Sequence, residues 1–109
     1  MVVESRFRLV NDTLSVKISF VDRDDICRYH NRAFQLWCGR GNDLIDGIPL
    51  HAVVDGAIYR DIKSHSIEVQ NGREVHFNAD WRSRENSAVT LLPYPPAILP
   101  ISGFYVIIE

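Results

Sequence analysis

The residues of this 109-residue chain that could carry chemistry are two cysteines, four histidines and a group of aspartates. Cys27 and Cys38 lie eleven residues apart, and the histidines are too widely spread to predict a metal site. Asp22, Asp24 and Asp25 lie in a turn-like segment with no feature that would give one carboxyl an acid role and another a base role. No serine lies in a G-x-S-x-G turn. We therefore expect no catalytic site and no bound metal.

Residues 32–47, RAFQLWCGRGNDLIDG, combine aromatic rings, a thiol and three glycines. No lysine follows in the P-loop pattern, so Gly39 and Gly41 are interpreted as helix-ending and loop glycines rather than a phosphate site. Cys38 falls at a helix C-terminus, where the helix dipole disfavours a thiolate, and is expected to fill space. Trp37 suits either core filling, which is favoured, or stacking on a ligand.

Composition predicts one soluble globular domain, because 46% of residues are hydrophobic and 24% are charged. The net charge of −2 with scattered basic residues argues against nucleic-acid binding. No apolar run reaches the roughly 18 residues of a membrane span, so no membrane insertion is expected. The N-terminus lacks the pattern of a signal peptide, and the two cysteines fit a reduced, cytoplasmic protein.

Hydrophobic periodicity predicts two strands, then a series of helical segments, then three further strands. The predicted strands are residues 14–20, 26–30, 75–81, 87–94 and 103–108, and the helical segments are residues 32–38, 42–45, 49–54 and 57–70. Asn31 is predicted to cap the N-terminus of the first helix, and Asn71-Gly72 is predicted to end the last one. A helical flank over residues 1–12, with Val3, Phe7 and Val10 on one face, precedes a core of residues 13–109. Because no helices connect the last three strands, the sheet is predicted to be antiparallel, in an α+β fold with helices on one face.

Two patterns predict which side chains face the core. In the first strand Val16, Ile18 and Phe20 alternate with polar residues and are expected on its buried face. In the long helix the inner stripe is predicted from spacings of four, three and four, and comprises Ile58, Ile62, His65 and Val69. His65 is thereby predicted to be buried.

The order of several short segments resembles a PAS domain over almost the whole chain. The matching segments are ESRFRLV, ISFVD, RYHNRAF, DLIDGIPLHAVV, YRDIKSHSIEVQNGREVHF and GFYVIIE. The resemblance implies a five-stranded antiparallel sheet with short helices and one longer helix on one face, and a small cavity between the sheet and that helix.

The sequence departs from the PAS pattern in two places. The connection PYPPAILPIS contains four prolines, and its Ala97, Ile98 and Leu99 are expected to pack back over the core rather than to form a contact surface. Flavin-binding members carry a reactive cysteine in a motif that neither cysteine here matches. Haem-binding members use a histidine on the long helix, but the pattern around His65 is absent, so haem is not favoured and the cofactor is left open.

The resemblance implies a noncatalytic sensory domain of a larger cytoplasmic signalling protein, a histidine kinase of a two-component system, a diguanylate cyclase or a transcription regulator. A small ligand would bind in the cavity and signal to an effector domain in the same chain, with a homodimer expected. The predicted ligand-binding residues are Trp37, Ile58, Ile62, His65, Phe77 and Phe104, with His65 as the polar anchor. The alternative is a ligand-free dimerisation or protein-interaction module.

Overall fold

The computed structural model describes residues 16–39, 45–81 and 87–109. Its strands are β1 (Lys17–Asp22), β2 (Ile26–His30), β3 (Ile48–Pro49), β4 (Val75–Ala79), β5 (Ser87–Tyr94) and β6 (Gly103–Ile108). Its helices are α1 (Arg32–Trp37), α2 (Leu50–Val53) and α3 (Gly56–Gln70). The predicted helical flank at residues 1–12 and the helical turn beginning at residue 42 lie outside these ranges, so both stay predictions, as does the division into flank and core.

All six strands form one antiparallel sheet in the order β3-β2-β1-β6-β5-β4. This confirms the predicted α+β fold, and the bounds of β2, β5 and β6 match the predicted ones. The sheet has six strands rather than five because Ile48–Pro49 pairs with Ile26 and Cys27 of β2. A two-residue strand is too short for alternation to reveal it.

The predicted buried face of β1 is only partly correct. Ile18 is buried as predicted, whereas Val16 and Phe20 are half-buried. Ser19 and Val21 pair with Val106 and Phe104 of β6 and therefore share the inner face, whereas Phe20 pairs with Tyr105 on the opposite face. Ser19 is fully buried, and its hydroxyl donates to the Tyr29 carbonyl at 3.1 Å. Because this hydrogen bond satisfies the hydroxyl, a small polar residue occupies a position that the alternation pattern assigned to the exposed side.

Asn31 joins α1 to the sheet. Its Oδ1 accepts hydrogen bonds from the Phe34 amide at 2.9 Å and the Ile18 amide at 3.1 Å, and its Nδ2 donates to the Val16 carbonyl at 2.7 Å. The predicted N-cap is therefore confirmed, and the same side chain also continues the hydrogen bonding of β1. At the other end of α1, Gly39 has φ +70°, in the left-handed region expected of a helix-ending glycine.

The helix α3 packs its buried face against the sheet and ends at Asn71, as predicted from the Asn-Gly pair. Its buried residues are Ile58, Ile62, Ser66 and Val69. His65 is only half-buried, so its predicted place on the buried stripe is wrong. Ser66 takes that place because it is small, which lets the helix approach the sheet closely, and because its hydroxyl donates to the Lys63 carbonyl at 2.7 Å.

The proline-rich connection between β5 and β6 is exposed rather than packed over the core. Ile98 and Leu99 are 60% and 61% exposed, whereas Ile101 is buried. The connection leads into Gly103, where a Cβ atom would lie 2.3 Å from the Val21 carbonyl oxygen. Only glycine therefore allows β6 to approach β1 this closely.

Candidate functional site

Five ring side chains form a continuous aromatic cluster that involves α1, α3 and the end of β4. In order of contact they are Phe34, Trp37, Trp81, Phe77 and His65. The centroid distances along this series are 5.8, 6.2, 6.1 and 3.9 Å, and the His65 and Phe77 rings are parallel to within 3°. Phe34 is buried and the other four rings are half-buried. The cluster thus connects the core to the surface.

The topology explains why these residues meet. Trp37 is the last residue of α1, which follows β2 near one edge of the sheet. Trp81 follows β4, which is the strand at the opposite edge. Their contact therefore spans the inner layer. Phe77 shares its face of β4 with the buried Val75, because the two residues lie two positions apart in the strand. The aromatic cluster thereby links the three elements that surround this part of the core.

The Asp61 carboxylate lies beside the aromatic cluster, and the His65 imidazole within the cluster has one nitrogen available for a ligand. The Trp81 indole Nε1–H donates to Asp61 Oδ2 at 2.6 Å. The His65 Nδ1 lies 2.8 Å from the Asp61 carbonyl oxygen, which can only accept, so Nδ1 carries the proton. In neutral His65 the lone pair is therefore on Nε2, which has no partner in the described part of the chain. This nitrogen can accept a hydrogen bond from a ligand.

The six sequence-predicted ligand residues occupy three environments. Trp37, His65 and Phe77 meet in the aromatic cluster. Ile58 and Ile62 are each 1% exposed and belong to the packed core. Phe104 is also buried in that core and lines a different pocket. Trp81 and Asp61 belong to the site but were not predicted as ligand residues. Trp81 was included in the alternation with Phe77 and Ala79, but that pattern does not indicate which face of the sheet lies toward the helices.

A pocket of about 220 Å³ lies where β1 ends, α3 ends and β6 begins; we call it the sheet-end pocket. The described residues that line it are Asp22, Arg23, Gln70, Pro100, Ile101, Gly103 and Phe104. Partial burial acts to raise the pKa of Asp22, but hydrogen bonds from Arg28 and from the Ile26 and Asp24 amides outweigh it and lower that pKa. The pocket therefore contains an ionised carboxylate at neutral pH.

The turn between β1 and β2 is attached to α3 through Asp25. Its Oδ2 accepts hydrogen bonds from the Tyr59 hydroxyl and the Lys63 ammonium, each at 2.8 Å. The hydrogen bond to Asp25 raises the pKa of both Tyr59 and Lys63. Asp25 has φ +63°, an uncommon conformation that an aspartate tolerates in a turn. The sequence did not predict this contact, because its partners are more than 30 residues apart.

The two cysteines are free and occupy different environments. Cys27 is fully buried, and burial raises the pKa of its thiol, although the Ser19 hydroxyl 3.7 Å from its Sγ acts to lower that pKa. Cys38 is half-buried at the end of α1. Among the described residues, no group of three histidine, cysteine or acidic side chains is placed to hold a metal ion. Cys27 therefore has neither the lowered pKa nor the exposure of a nucleophile.

The antiparallel sheet with its inner layer of short helices and one long helix has the PAS fold. A PAS domain from Colwellia psychrerythraea superposes with a TM-score of 0.73 at 14% identity, over 100% of this chain and 96% of that one. A domain of an HTR-like protein from Haloarcula marismortui gives 0.69 at 17% identity, over 87% and 96% of the two chains. The PAS domain of the histidine kinase ThkA gives 0.66 at 18% identity, over 86% and 97%.

The comparisons of sequence found no match, in contrast to the comparison of structures. No family model matches the chain, and no curated protein sequence matches it. At identities of 14–18%, the similarity to the three structures establishes the fold. Within residues 16–39, 45–81 and 87–109, none of the helices has the length and apolar character needed to span a bilayer.

Proposed function

We propose that this chain is a noncatalytic sensory domain of a larger signalling protein, and that it passes a signal to an effector domain in the same chain. The PAS fold supports this proposal, because similar structures include the PAS domain of the histidine kinase ThkA and a sensory box histidine kinase from Vibrio cholerae. Both examples favour a histidine kinase as the effector, with a diguanylate cyclase or a transcription regulator as alternatives. A cytoplasmic location is part of the proposal.

The sensory ligand is proposed to be a small organic molecule that binds at the aromatic cluster. The observation that carries this proposal is a set of four half-buried rings that includes a histidine whose Nε2 has no partner among the described residues. Rings of this kind supply apolar contact area, and His65 Nε2 and Asp61 supply polar contacts that would orient the molecule. Trp37, His65 and Phe77 would touch the ligand, while Ile58, Ile62 and Phe104 would support the site from the core.

The first test is to identify a molecule that purifies with the protein. An absorbance spectrum from 300 to 700 nm of the fresh protein is followed by denaturation and mass spectrometry of any released compound. A compound present near one per chain would support the proposal, and its rebinding would be followed by the fluorescence of Trp37 and Trp81. A protein that releases nothing would count against a resident ligand and favour the alternative below.

A pair of histidine variants locates the binding site. H65L removes the unpaired Nε2 and is expected to weaken rebinding by about tenfold or more, the cost of leaving a ligand donor unpaired. H76L is the control, because His76 lies on the outer face of β4, where it contacts Thr90 and Glu74. Equal rebinding by wild type, H65L and H76L would refute a ligand role for His65.

The second candidate function is that of a dimerisation module, and the outer face of the sheet favours it. The strand register places Tyr29, Phe20, Tyr105 and Leu92 side by side across β2, β1, β6 and β5. Tyr94 lies beside this row, and its ring contacts Phe20 and Tyr105. Tyr29 and Tyr94 are 41% and 43% exposed, so a second copy of the chain could cover aromatic surface here.

Sedimentation velocity over a range of concentrations tests the dimer. The wild type is expected to show a concentration-dependent dimer, and Y94S is expected to shift it toward monomer. N78A, on the same face of β4 but outside the aromatic row, serves as the control. A wild type that stays monomeric, or a dimer that Y94S leaves unchanged, would exclude this surface as the interface.

A further inference from the structure

The sheet-end pocket combines two opposite charges with an apolar floor. Asp22 and Arg23 contribute the charges, and Pro100, Ile101 and Phe104 contribute the apolar surface. None of the residues of the aromatic cluster lines it. Its volume of about 220 Å³ is below the roughly 300–1,000 Å³ typical of pockets for drug-sized ligands, so it suits a smaller molecule.

Asp22 has capacity for one further hydrogen-bond donor. Its Oδ1 accepts from the Asp24 amide at 2.8 Å and the Ile26 amide at 3.0 Å, and its Oδ2 accepts from Arg28 Nε at 2.7 Å. A carboxylate offers about four acceptor positions, so one position on Oδ2 is still available. The same three bonds fix the orientation of the carboxylate, which therefore needs no rearrangement to receive an ammonium group.

Arg23 and Gln70 add groups that have no partners of their own. Both side chains are exposed, and neither makes a hydrogen bond or ion pair within the described part of the chain. A guanidinium binds a carboxylate with two parallel hydrogen bonds, and an amide can both donate and accept. The Asp22 carboxylate would repel a purely anionic ligand, and the Arg23 guanidinium would repel a purely cationic one. A molecule that carries both charges matches the pocket better than either.

We propose that the sheet-end pocket binds a small zwitterion of the α-amino-acid type with an apolar side chain. Its ammonium donates to Asp22 Oδ2, its carboxylate pairs with Arg23, and its side chain packs on Ile101 and Phe104. Gln70, in the last turn of α3, contacts the polar end of the ligand. The pocket is thus a second ligand site, and its occupancy does not depend on ligand binding at the aromatic cluster.

The test is a titration with three related probes, followed by the amide and indole signals in ¹H–¹⁵N NMR spectra. L-leucine carries both charges, 4-methylpentanoate lacks the ammonium and 3-methylbutylamine lacks the carboxylate. We expect saturable binding of L-leucine, with signal shifts concentrated at Gln70, Ile101 and Phe104. Both analogues are expected to bind about tenfold more weakly or worse, because each lacks one of the two charge-assisted hydrogen bonds that L-leucine makes with Asp22 and Arg23.

Two arginine variants complete the test. R23Q removes the guanidinium from an exposed position, so the fold is expected to persist, and L-leucine should bind at least about tenfold more weakly. R32Q, an exposed arginine at the start of α1, should bind like the wild type. Absence of saturable L-leucine binding, equal binding of 4-methylpentanoate, or binding that R23Q leaves unchanged would overturn the proposal. Shifts confined to the Trp37 and Trp81 indole signals would also overturn it, while supporting the aromatic cluster as a ligand site.

Discussion

Replacing Asn31 with alanine should be among the most damaging single changes in this domain. Asn31 is 6% exposed, and its side chain accepts hydrogen bonds from the Phe34 and Ile18 amides and donates one to the Val16 carbonyl. It thus caps α1 and satisfies the backbone of β1 at the same time. An alanine side chain can neither cap α1 nor hydrogen-bond to β1, so the Ile18 amide would lose the Asn31 Oδ1 acceptor.

The expected loss follows from these contacts. Removal of an N-cap side chain costs about 1 kcal/mol, and an unsatisfied buried amide costs about 1–3 kcal/mol. The Val16 residue is only half-buried, so water can replace the donor to its carbonyl at little cost. We therefore expect N31A to lose about 3 kcal/mol of unfolding free energy. For a domain of this size that corresponds to a fall in Tm of roughly 10–20 °C.

Urea denaturation, followed by tryptophan fluorescence and far-UV circular dichroism, measures this loss by linear extrapolation. N78A is the matched control, because Asn78 is exposed on β4, and it should change stability by less than about 0.5 kcal/mol. N31D keeps the accepting oxygens but loses the donor, so its stability should lie between those of wild type and N31A. A loss in N31A no larger than that in N78A would refute the assigned role of Asn31.

Three further predictions use the same protein. G103A should lose about 1–3 kcal/mol or more in urea denaturation, because its methyl group would meet the Val21 carbonyl. G56A should be neutral or stabilising, since its methyl group meets only the flexible Arg60 side chain at 3.6 Å; equal losses would contradict the argument. In the folded protein, Cys38 should react with a thiol reagent far faster than the buried Cys27, and equal rates would contradict the burial of Cys27. Because the pKa of Asp22 is lowered on folding, its contribution to stability is present above its unfolded pKa of about 3.9 and is lost as pH falls through the folded pKa. Urea midpoints measured from pH 6 to pH 3 should therefore fall more steeply for wild type than for D22N, and parallel curves would contradict this assignment.

The sequence predicts those elements whose local pattern is strong. The bounds of β2, β5 and β6 were predicted from the turn segment at residues 22–25 and the proline-rich connection that border these strands, and Asn31 and Gly39 marked the two ends of α1. The Asn-Gly pair similarly marked the end of α3. These predictions succeed because the signal and the structure depend on the same residues, within one turn or one strand.

The predictions that fail depend on contacts between distant residues. Ser19 faces the core because the register of β1 with β6 places it opposite Val106, and no local pattern reports that register. His65 and Ser66 both fit the inner stripe by spacing, and the packing distance between α3 and the sheet selects the smaller one. The aromatic cluster could not be predicted for the same reason, because the contact of Trp37 with Trp81 depends on the order of all the strands in the sheet.

The helix α3 contributes residues to both candidate ligand sites and to the contact that holds the β1–β2 turn. Asp61 and His65 contact the aromatic cluster, Tyr59 and Lys63 hold the β1–β2 turn through Asp25, and Gln70 lines the sheet-end pocket.

A ligand at either site can transmit a signal only by the difference in its binding free energy between two arrangements of this helix. A complete switch needs about 5.5 kcal/mol, whereas one hydrogen bond to a charged group contributes about 1.5–3 kcal/mol. A ligand that changes only one such contact would therefore shift the population about tenfold to a hundredfold, so a full response requires ligand contacts that change at several positions along α3.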